Sequence, residues 1–114
     1  MLWRISTPDG TILADRARRP TSGRERRKGL LGTSSLQPGE GIILERAYQV
    51  HTFGMSYPID VVFCTKGWEV VHVVGSMKAN RLGRFVVHGF YAIELPAGTA
   101  GVARGDRLDV TRSD

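Results

Sequence analysis

The sequence predicts a mainly β protein, a compact antiparallel β-sandwich or barrel with one short helix packed on it. Many short strand-like runs, separated by turn residues, are typical of these folds. Few segments have the length and periodicity of helices, so the helices that an alternating α/β fold needs are missing. One helix-start motif precedes the first buried strand candidate and predicts a single helix on the sheet.

Turn residues divide the chain into segments of strand length. The two most apolar runs, residues 59–64 and 68–74, are joined by residues 65–67, whose glycine suits a left-handed backbone conformation. These two runs are therefore predicted to form a hairpin. Pro8 and the Asp-Gly pair that follows it predict a second hairpin at the start of the chain. Further strands are predicted over residues 2–6, 11–14, 42–44, 91–95 and 107–111.

One helix is predicted over about residues 23–31. Ser22 and Glu25 have the capping-box spacing, in which the serine oxygen and the glutamate carboxylate satisfy free amides of the first turn. Gly32 is placed to end the helix, because glycine readily adopts the left-handed conformation found after a helix C-terminus. The two leucines before Gly32 are expected to face the core.

Length and composition limit the classes of protein to consider. The chain has 114 residues and no repeat or linker, so we expect a single domain over residues 1–114. Its one cysteine, Cys64, cannot form an internal disulfide, which favours a reducing compartment. No apolar run approaches the ~20 residues that span a bilayer, and the first residues lack the apolar centre of a signal peptide. We therefore expect a cytoplasmic location.

The formal charge of +5 is concentrated in residues 16–28. Clustered cations attract phosphates, so this segment could bind nucleic acid or another anionic surface. Aromatic residues do not alternate with the cations, and Asp15 and Glu25 reduce the local charge, so a solvated basic face is the competing interpretation. The cations are Arg16, Arg18, Arg19, Arg24, Arg26, Arg27 and Lys28.

Four short motifs occur in a characteristic order. They are Arg-Arg-Lys-Gly-Leu-Leu-Gly at 26–32, His-Thr-Phe-Gly-Met-x-x-Pro-Ile-Asp-Val-Val-Phe at 51–63, Glu-Leu-Pro-Ala-Gly at 94–98 and Gly-Asp at 105–106. Over about residues 15 to 110 the sequence resembles the bacterial and archaeal family called domain of unknown function 192, or uncharacterised protein family 0127. The resemblance implies a compact, mainly β fold with a small helix and no established activity.

This chain differs from longer members of that family at two places. Its central motif is the His51 to Met55 version instead of tryptophan-methionine-asparagine-threonine, and Leu31 stands where many members have methionine. A role that depends on the tryptophan version is therefore not transferred to this chain.

The candidate pocket lies near residues 51–60, where polar and sulfur-containing side chains precede an apolar strand. Its predicted members are His51, Thr52, Met55 and Asp60. Imidazole titrates near neutrality, so His51 could carry a proton or contact a ligand. A lone histidine is also commonly a hydrogen-bonded structural group, and both interpretations stay open.

Asp60 is also a candidate structural anchor at the start of a strand. Burying an unpaired carboxylate is very costly, and the arginine-rich helix could supply its partner, with Arg26 as the first choice. The alternative is that Asp60 faces a ligand. Pro58, which fixes the backbone before the strand, and Gly29 complete the predicted structural set.

The sequence gives little support for metal, nucleotide or nucleophilic chemistry. The three histidines are far apart and no Cys-x-x-Cys or His-x-His pair occurs, so no metal and no cofactor is predicted. Cys64 lies in an apolar strand, which disfavours a reactive thiolate. Glu69 and Glu94 could approach Asp60 as a carboxylate pair, but their spacing does not require it.

These observations lead to three functional hypotheses. The first is a small ligand- or protein-binding, or accessory, module with its site near His51 and Asp60. The alternative is an uncharacterised enzyme that uses His51 as acid or base with Asp60 orienting it. The third is a nucleic-acid or anionic-surface binder that acts through residues 16–28.

Overall fold

Seven strands and one short helix make up the regular structure of the protein. The computed structural model describes residues 1–114. The predicted mainly β fold with one short helix is confirmed, and the helix is too short to cross a membrane. The elements are β1 (Trp3–Ser6), β2 (Ile12–Arg18), α1 (Gly23–Lys28), β3 (Glu40–Glu45), β4 (Ile59–Cys64), β5 (Val70–Met77), β6 (Tyr91–Pro96) and β7 (Asp109–Arg112).

All seven strands belong to one mixed sheet with the order β5-β4-β6-β3-β2-β1-β7. The predicted hairpins β1–β2 and β4–β5 are present and antiparallel. The expectation of a wholly antiparallel sheet is wrong for one pair, because β2 and β3 run parallel. Parallel neighbours need a crossover connection, and the segment that contains α1 supplies it.

The turn between β4 and β5 differs from the sequence prediction. Trp68, not the neighbouring glycine, has the left-handed backbone, with φ of 67°. The indole ring of Trp68 stacks on the ring of Tyr91 with centroids 3.8 Å apart. This packing offsets the cost of roughly 1–2 kcal/mol for a left-handed side-chain-bearing residue.

Helix α1 starts at the predicted cap residue Ser22, although the Glu25 carboxylate does not form the second bond of the capping box, and the helix ends earlier than predicted. The Oγ atom of Ser22 accepts a hydrogen bond from the backbone N–H of Glu25 at 3.1 Å. At the other end Gly29 adopts φ of 49°, and its N–H donates to the carbonyl of Glu25 at 3.0 Å. The expected end at Gly32 is therefore wrong, because Gly29 terminates the helix first and Leu30 packs into the core from the following turn.

The sheet curls around one hydrophobic cluster, which we call the inner core. Ile5 of β1 and Val70 of β5 both belong to it, although these strands are nearly at opposite ends of the sheet. The N–H of Val70 also donates to the carbonyl of Asp106, just before β7, at 2.7 Å. The two edges thus approach each other while the sheet remains open.

A second hydrophobic cluster, the outer core, covers the opposite face of β3, β4 and β6. Along β4 the side chains alternate between the two faces. Val61 and Phe63 enter the outer core, and Val62 and Cys64 enter the inner core. Leu30 and the loops around Val50, Met55 and Val86 cover the outer face. The gap left between these covering segments forms the cleft described below.

Candidate functional site

A cleft of about 510 Å³ opens on the outer face of the sheet, between α1 and the turn that follows β3. Its size is within the range of small-molecule sites. Six of its 16 lining residues are hydrophobic, and cationic side chains lie along α1 and the turn. The lining residues used below are Arg26, Arg27, Lys28, Leu30, Leu44, Arg46, Val50, His51, Met55 and Glu94.

Glu94 lies in the floor of this cleft. It is paired with Ile42 of β3 on one side and Val61 of β4 on the other, and both neighbours belong to the outer core. Strand alternation therefore directs the Glu94 side chain to the outer face, together with Ala92. A carboxylate is thus placed in the middle of an apolar surface.

The Glu94 carboxyl group is nearly buried and has no partner within the protein. The residue is 4% exposed, and neither a hydrogen bond nor a neighbouring charge contributes to its pKa. Its carboxyl oxygens keep slight contact with solvent, because no fully buried side-chain oxygen of the protein lacks a hydrogen-bond partner. Burial, which disfavours the charged form, raises the pKa of Glu94 to about 7. Buried polar groups are usually hydrogen-bonded, and a strongly shifted pKa inside a cleft is typical of functional sites.

Cationic side chains border the cleft but do not pair with Glu94. Arg26 donates from Nη1 to the backbone carbonyl of Thr21 at 2.9 Å, while Arg27 and Lys28 are exposed. Arg46 is exposed and has a left-handed backbone with φ of 54°, which is uncommon for a long side chain. We call these four cations, Arg26, Arg27, Lys28 and Arg46, the cationic rim.

Buried apolar side chains, which we call the apolar wall, also line the cleft. Leu30, Leu44, Val50 and Met55 line the cleft, and each is at most 8% exposed. The cleft thus combines a buried carboxyl group, an apolar wall and a cationic rim. Ligand sites commonly combine apolar lining with placed polar groups, and this cleft has a larger polar share than most.

Two of the four residues predicted for the pocket, His51 and Met55, line the cleft. His51 is exposed, and its Nδ1 accepts a hydrogen bond from the backbone N–H of Phe53 at 3.3 Å. Thr52 does not line the cleft. Its buried hydroxyl donates to the carbonyl of Lys78 at 2.6 Å and accepts from the N–H of Arg81 at 2.9 Å, so it ties two loops together.

Asp60 lies away from the cleft, on the inner face, where both of its carboxylate oxygens accept backbone hydrogen bonds. Oδ1 accepts from the N–H of Ser76 at 2.7 Å, and Oδ2 accepts from Gly98 at 3.0 Å and Ala100 at 2.9 Å. The predicted ion pair between Asp60 and Arg26 is wrong, because alternation along β4 directs Asp60 away from the face that α1 covers. Asp60 instead connects β5 to the turn after β6.

The structure therefore does not bring His51 and Asp60 together. His51 borders the outer face, whereas Asp60 is 3% exposed and uses its oxygens on the inner face. A pair in which Asp60 orients His51 for acid or base chemistry has no geometric basis. No group of three or more His, Cys, Asp and Glu side chains is arranged to hold a metal ion either.

The remaining predicted structural residues have local positions. Gly29 ends α1 and lines the cleft, where its backbone leads the chain from α1 to Leu30. Pro58 is exposed and directly precedes β4. Neither residue contributes a charged or hydrogen-bonding side chain to the site.

Two arginines of the basic segment form ion pairs with carboxylates of the protein. Arg19 is half-buried and donates to the Glu45 carboxylate at 3.0 Å and the Tyr91 hydroxyl at 3.1 Å, and its guanidinium lies 4.8 Å from the centroid of the Trp3 ring. Arg16 pairs with Asp15 at 2.9 Å. Arg19 therefore acts within the fold, whereas the Arg16–Asp15 pair lies on the surface.

Sequence reasoning identified Glu94 only as a strand carboxylate that could approach Asp60. The useful signal was its position in residues 91–95, where it falls among apolar neighbours of a strand. Alternation alone places Glu94 and Asp60 on opposite faces once the register of β4 and β6 is known. Arg46 had no comparable signal in the sequence.

Two solved structures are similar in fold. A protein of unknown function from Novosphingobium aromaticivorans DSM 12444 has a TM-score of 0.78 and 19% identity, over 94% of this chain and 82% of that chain. A proposed transcription regulator from Sinorhizobium meliloti 1021 has a TM-score of 0.78 and 20% identity, over 95% of this chain and 91% of that chain. At these identities the likeness concerns the fold alone.

A comparison with curated proteins gives no match. By contrast, residues 5–110 match the family DUF192, described as "Uncharacterized ACR". This match covers nearly the whole chain and confirms the resemblance inferred from the sequence motifs. The chain belongs to the DUF192 family of uncharacterised proteins.

Proposed function

We propose that this protein is a small-molecule-binding module whose ligand occupies the cleft above Glu94. The observation that carries the proposal is the nearly buried Glu94 carboxyl group, which opens into the cleft and has no hydrogen-bond partner in the protein. A ligand that donates a hydrogen bond to this group would remove its desolvation penalty, a gain of roughly 1–3 kcal/mol. The apolar wall adds contact area for the rest of the ligand.

A screen of metabolites against ¹⁵N-labelled protein tests this proposal. We expect at least one compound to shift the amide signals of residues that line the cleft, such as Leu44, Arg46 and Met55. The same compound should raise the melting temperature of the wild type, because a ligand that binds only the folded state stabilises it.

Matched variants assign the binding to the cleft. Glu94→Gln keeps the shape of the side chain but removes its charge, so it should lower the affinity of the protein for the compound. Glu69→Gln, which changes an exposed glutamate directly before β5, should leave binding unchanged. Compounds that bind both variants equally and shift residues elsewhere would contradict the proposal.

The same carboxyl group supports a second candidate, an enzyme in which Glu94 transfers a proton. Its raised pKa, about 7, is close to the value that suits a general acid or base at neutral pH. Following any cleft-binding compound by NMR for several hours, with wild type and Glu94→Gln in parallel, separates the two candidates. Conversion that requires Glu94 supports the enzyme, and an unchanged compound supports the binding module.

A cytoplasmic location is part of the proposal. Its support is Cys64, a free cysteine buried in the inner core, which fits a reducing compartment. Fractionation of cells that express a tagged chain should recover the protein with cytoplasmic markers, and recovery with periplasmic or external markers would contradict this location.

A further inference from the structure

We propose that the ligand is a small zwitterion, with an ammonium group held by Glu94 and a carboxylate or phosphate group held by the cationic rim. This inference rests on the proposed function and names the ligand class of the same cleft. It depends on three features of the cleft. The Glu94 carboxyl group has no hydrogen-bond donor, the cationic rim has no anionic partner, and apolar side chains also line the cleft.

The first feature is the acceptor in the floor. Once Glu94 is ionised, its carboxylate only accepts hydrogen bonds, and no N–H or O–H group of the protein donates to it. A neutral hydroxyl would satisfy a lone pair but leave a buried negative charge uncompensated. An ammonium group supplies both the hydrogen bond and the opposite charge, and charge-assisted hydrogen bonds are about twice as strong as neutral ones.

The second feature is the excess of positive charge at the rim. The lining contains four cations, Arg26, Arg27, Lys28 and Arg46, and two acids, Glu45 and Glu94. Glu45 is already paired with Arg19 at 3.0 Å, outside the cleft lining. None of the four rim cations forms an ion pair with a protein carboxylate, so the rim offers free guanidinium and ammonium groups to an anion.

Arg46 is the rim residue most specifically positioned. Its φ of 54° places a long side chain in a conformation that costs roughly 1–2 kcal/mol and favours glycine. The Arg46 side chain makes no hydrogen bond or ion pair within the protein, so no internal contact of its charged group offsets this cost. Unrelieved backbone strain of this kind is concentrated at ligand-binding and active sites.

The third feature is the separation of the two charged ends. Because no rim cation pairs with Glu94, a single compact anion or cation cannot neutralise both ends. The buried side chains of Leu44, Val50 and Met55 also line the cleft. A ligand with its two charges separated by a short apolar chain therefore fits better than one with a single charge.

Matched probes test the inference on the wild-type protein. The zwitterions are glycine, 4-aminobutanoate, 6-aminohexanoate and phosphoethanolamine, which vary the spacing and the anion. Hexanoate lacks the ammonium group and hexylamine lacks the carboxylate, so each removes one end of 6-aminohexanoate. Affinities are measured by NMR titration of the amide signals that line the cleft.

We expect at least one zwitterion to bind about tenfold or more tightly than a probe that lacks either end, since each lost charged hydrogen bond has about this effect. Glu94→Gln should lower the affinity for 6-aminohexanoate to that for hexanoate, which lacks the ammonium group. Arg46→Ala should lower the affinity for 6-aminohexanoate toward that for hexylamine, with Arg26, Arg27 and Lys28 retaining part of the contribution of the anionic end. Circular dichroism verifies that both variants fold.

The outcomes distinguish this inference from the proposed function. Equal binding of 6-aminohexanoate and hexanoate, or zwitterion binding unaffected by Glu94→Gln, would overturn the inference. If only uncharged or singly charged metabolites from the wider screen bind in the cleft, the inference fails and the binding function remains. If no compound perturbs the cleft, both fail. The wild-type comparison alone decides the matter if a variant does not fold.

Discussion

Replacing Glu94 by glutamine should remove a pH dependence from the stability of the folded protein. Glu94 has a usual pKa of 4.5 when unfolded and a pKa of about 7 in the folded protein, because burial disfavours its charged form. Below pH 4.5 the carboxyl group is neutral in both states and carries no penalty. As the pH rises toward 7, the unfolded chain ionises first, so the free energy of unfolding decreases.

The magnitude follows from the size of the shift. Each pKa unit corresponds to 1.36 kcal/mol, so a pKa of about 7 against 4.5 gives about 3 kcal/mol of stability lost between the two pH values. Glutamine cannot ionise. The free energy of unfolding of Glu94→Gln, relative to that of wild type, should therefore increase by about this amount as the pH rises across the same interval.

Urea denaturation at several pH values between about 4 and 8 measures the effect. The informative quantity is the difference in free energy of unfolding between wild type and variant, because the titration of other groups cancels in it. Glu69→Gln provides the control, since an exposed carboxylate stays hydrated in both states. A difference between wild type and Glu94→Gln that does not change with pH would refute the reasoning.

Three further predictions concern other parts of the molecule. Asp60→Ala should lower the free energy of unfolding by about 4 kcal/mol in urea titrations, because three backbone N–H groups lose their acceptor. A loss below about 1 kcal/mol would contradict the anchoring role of Asp60. Arg46→Gly should be neutral or stabilise by up to about 1 kcal/mol, since glycine tolerates φ of 54°, whereas Arg4→Gly within β1 should cost about 1 kcal/mol. Burial raises the pKa of the Cys64 thiol to about 12, so Cys64 should react with iodoacetamide only after the protein unfolds. Rapid labelling of the folded protein would show instead that the inner core opens readily.

Local patterns in the sequence were sufficient for much of the fold. Turn residues located both hairpins. The parallel pairing of β2 with β3 was not predictable in this way, because it depends on the path of the intervening segment across the sheet. The end of α1 was wrong because two glycines, Gly29 and Gly32, could each terminate it and only packing selects between them.

The site was harder to predict for a related reason. The partners of Asp60 are backbone N–H groups, which every residue except proline carries, so no sequence pattern marks them. The burial of Glu94 depends on Ile42 and Val61, which become its neighbours only through long-range pairing. The sequence located His51 and Met55 at the cleft, but not the carboxyl group at its floor.

The central claim is that Glu94 is a buried, unpartnered carboxyl group that faces a ligand cleft. Carbon-detected NMR of its side-chain carboxyl signal tests this claim most directly, with and without a cleft-binding zwitterion. We expect the Glu94 carboxyl group to titrate with a midpoint near 7 in the free protein. With the zwitterion bound the midpoint should be lower, because an ammonium partner favours the charged form of the carboxyl group. A midpoint near 4.5 that the zwitterion does not move would contradict it.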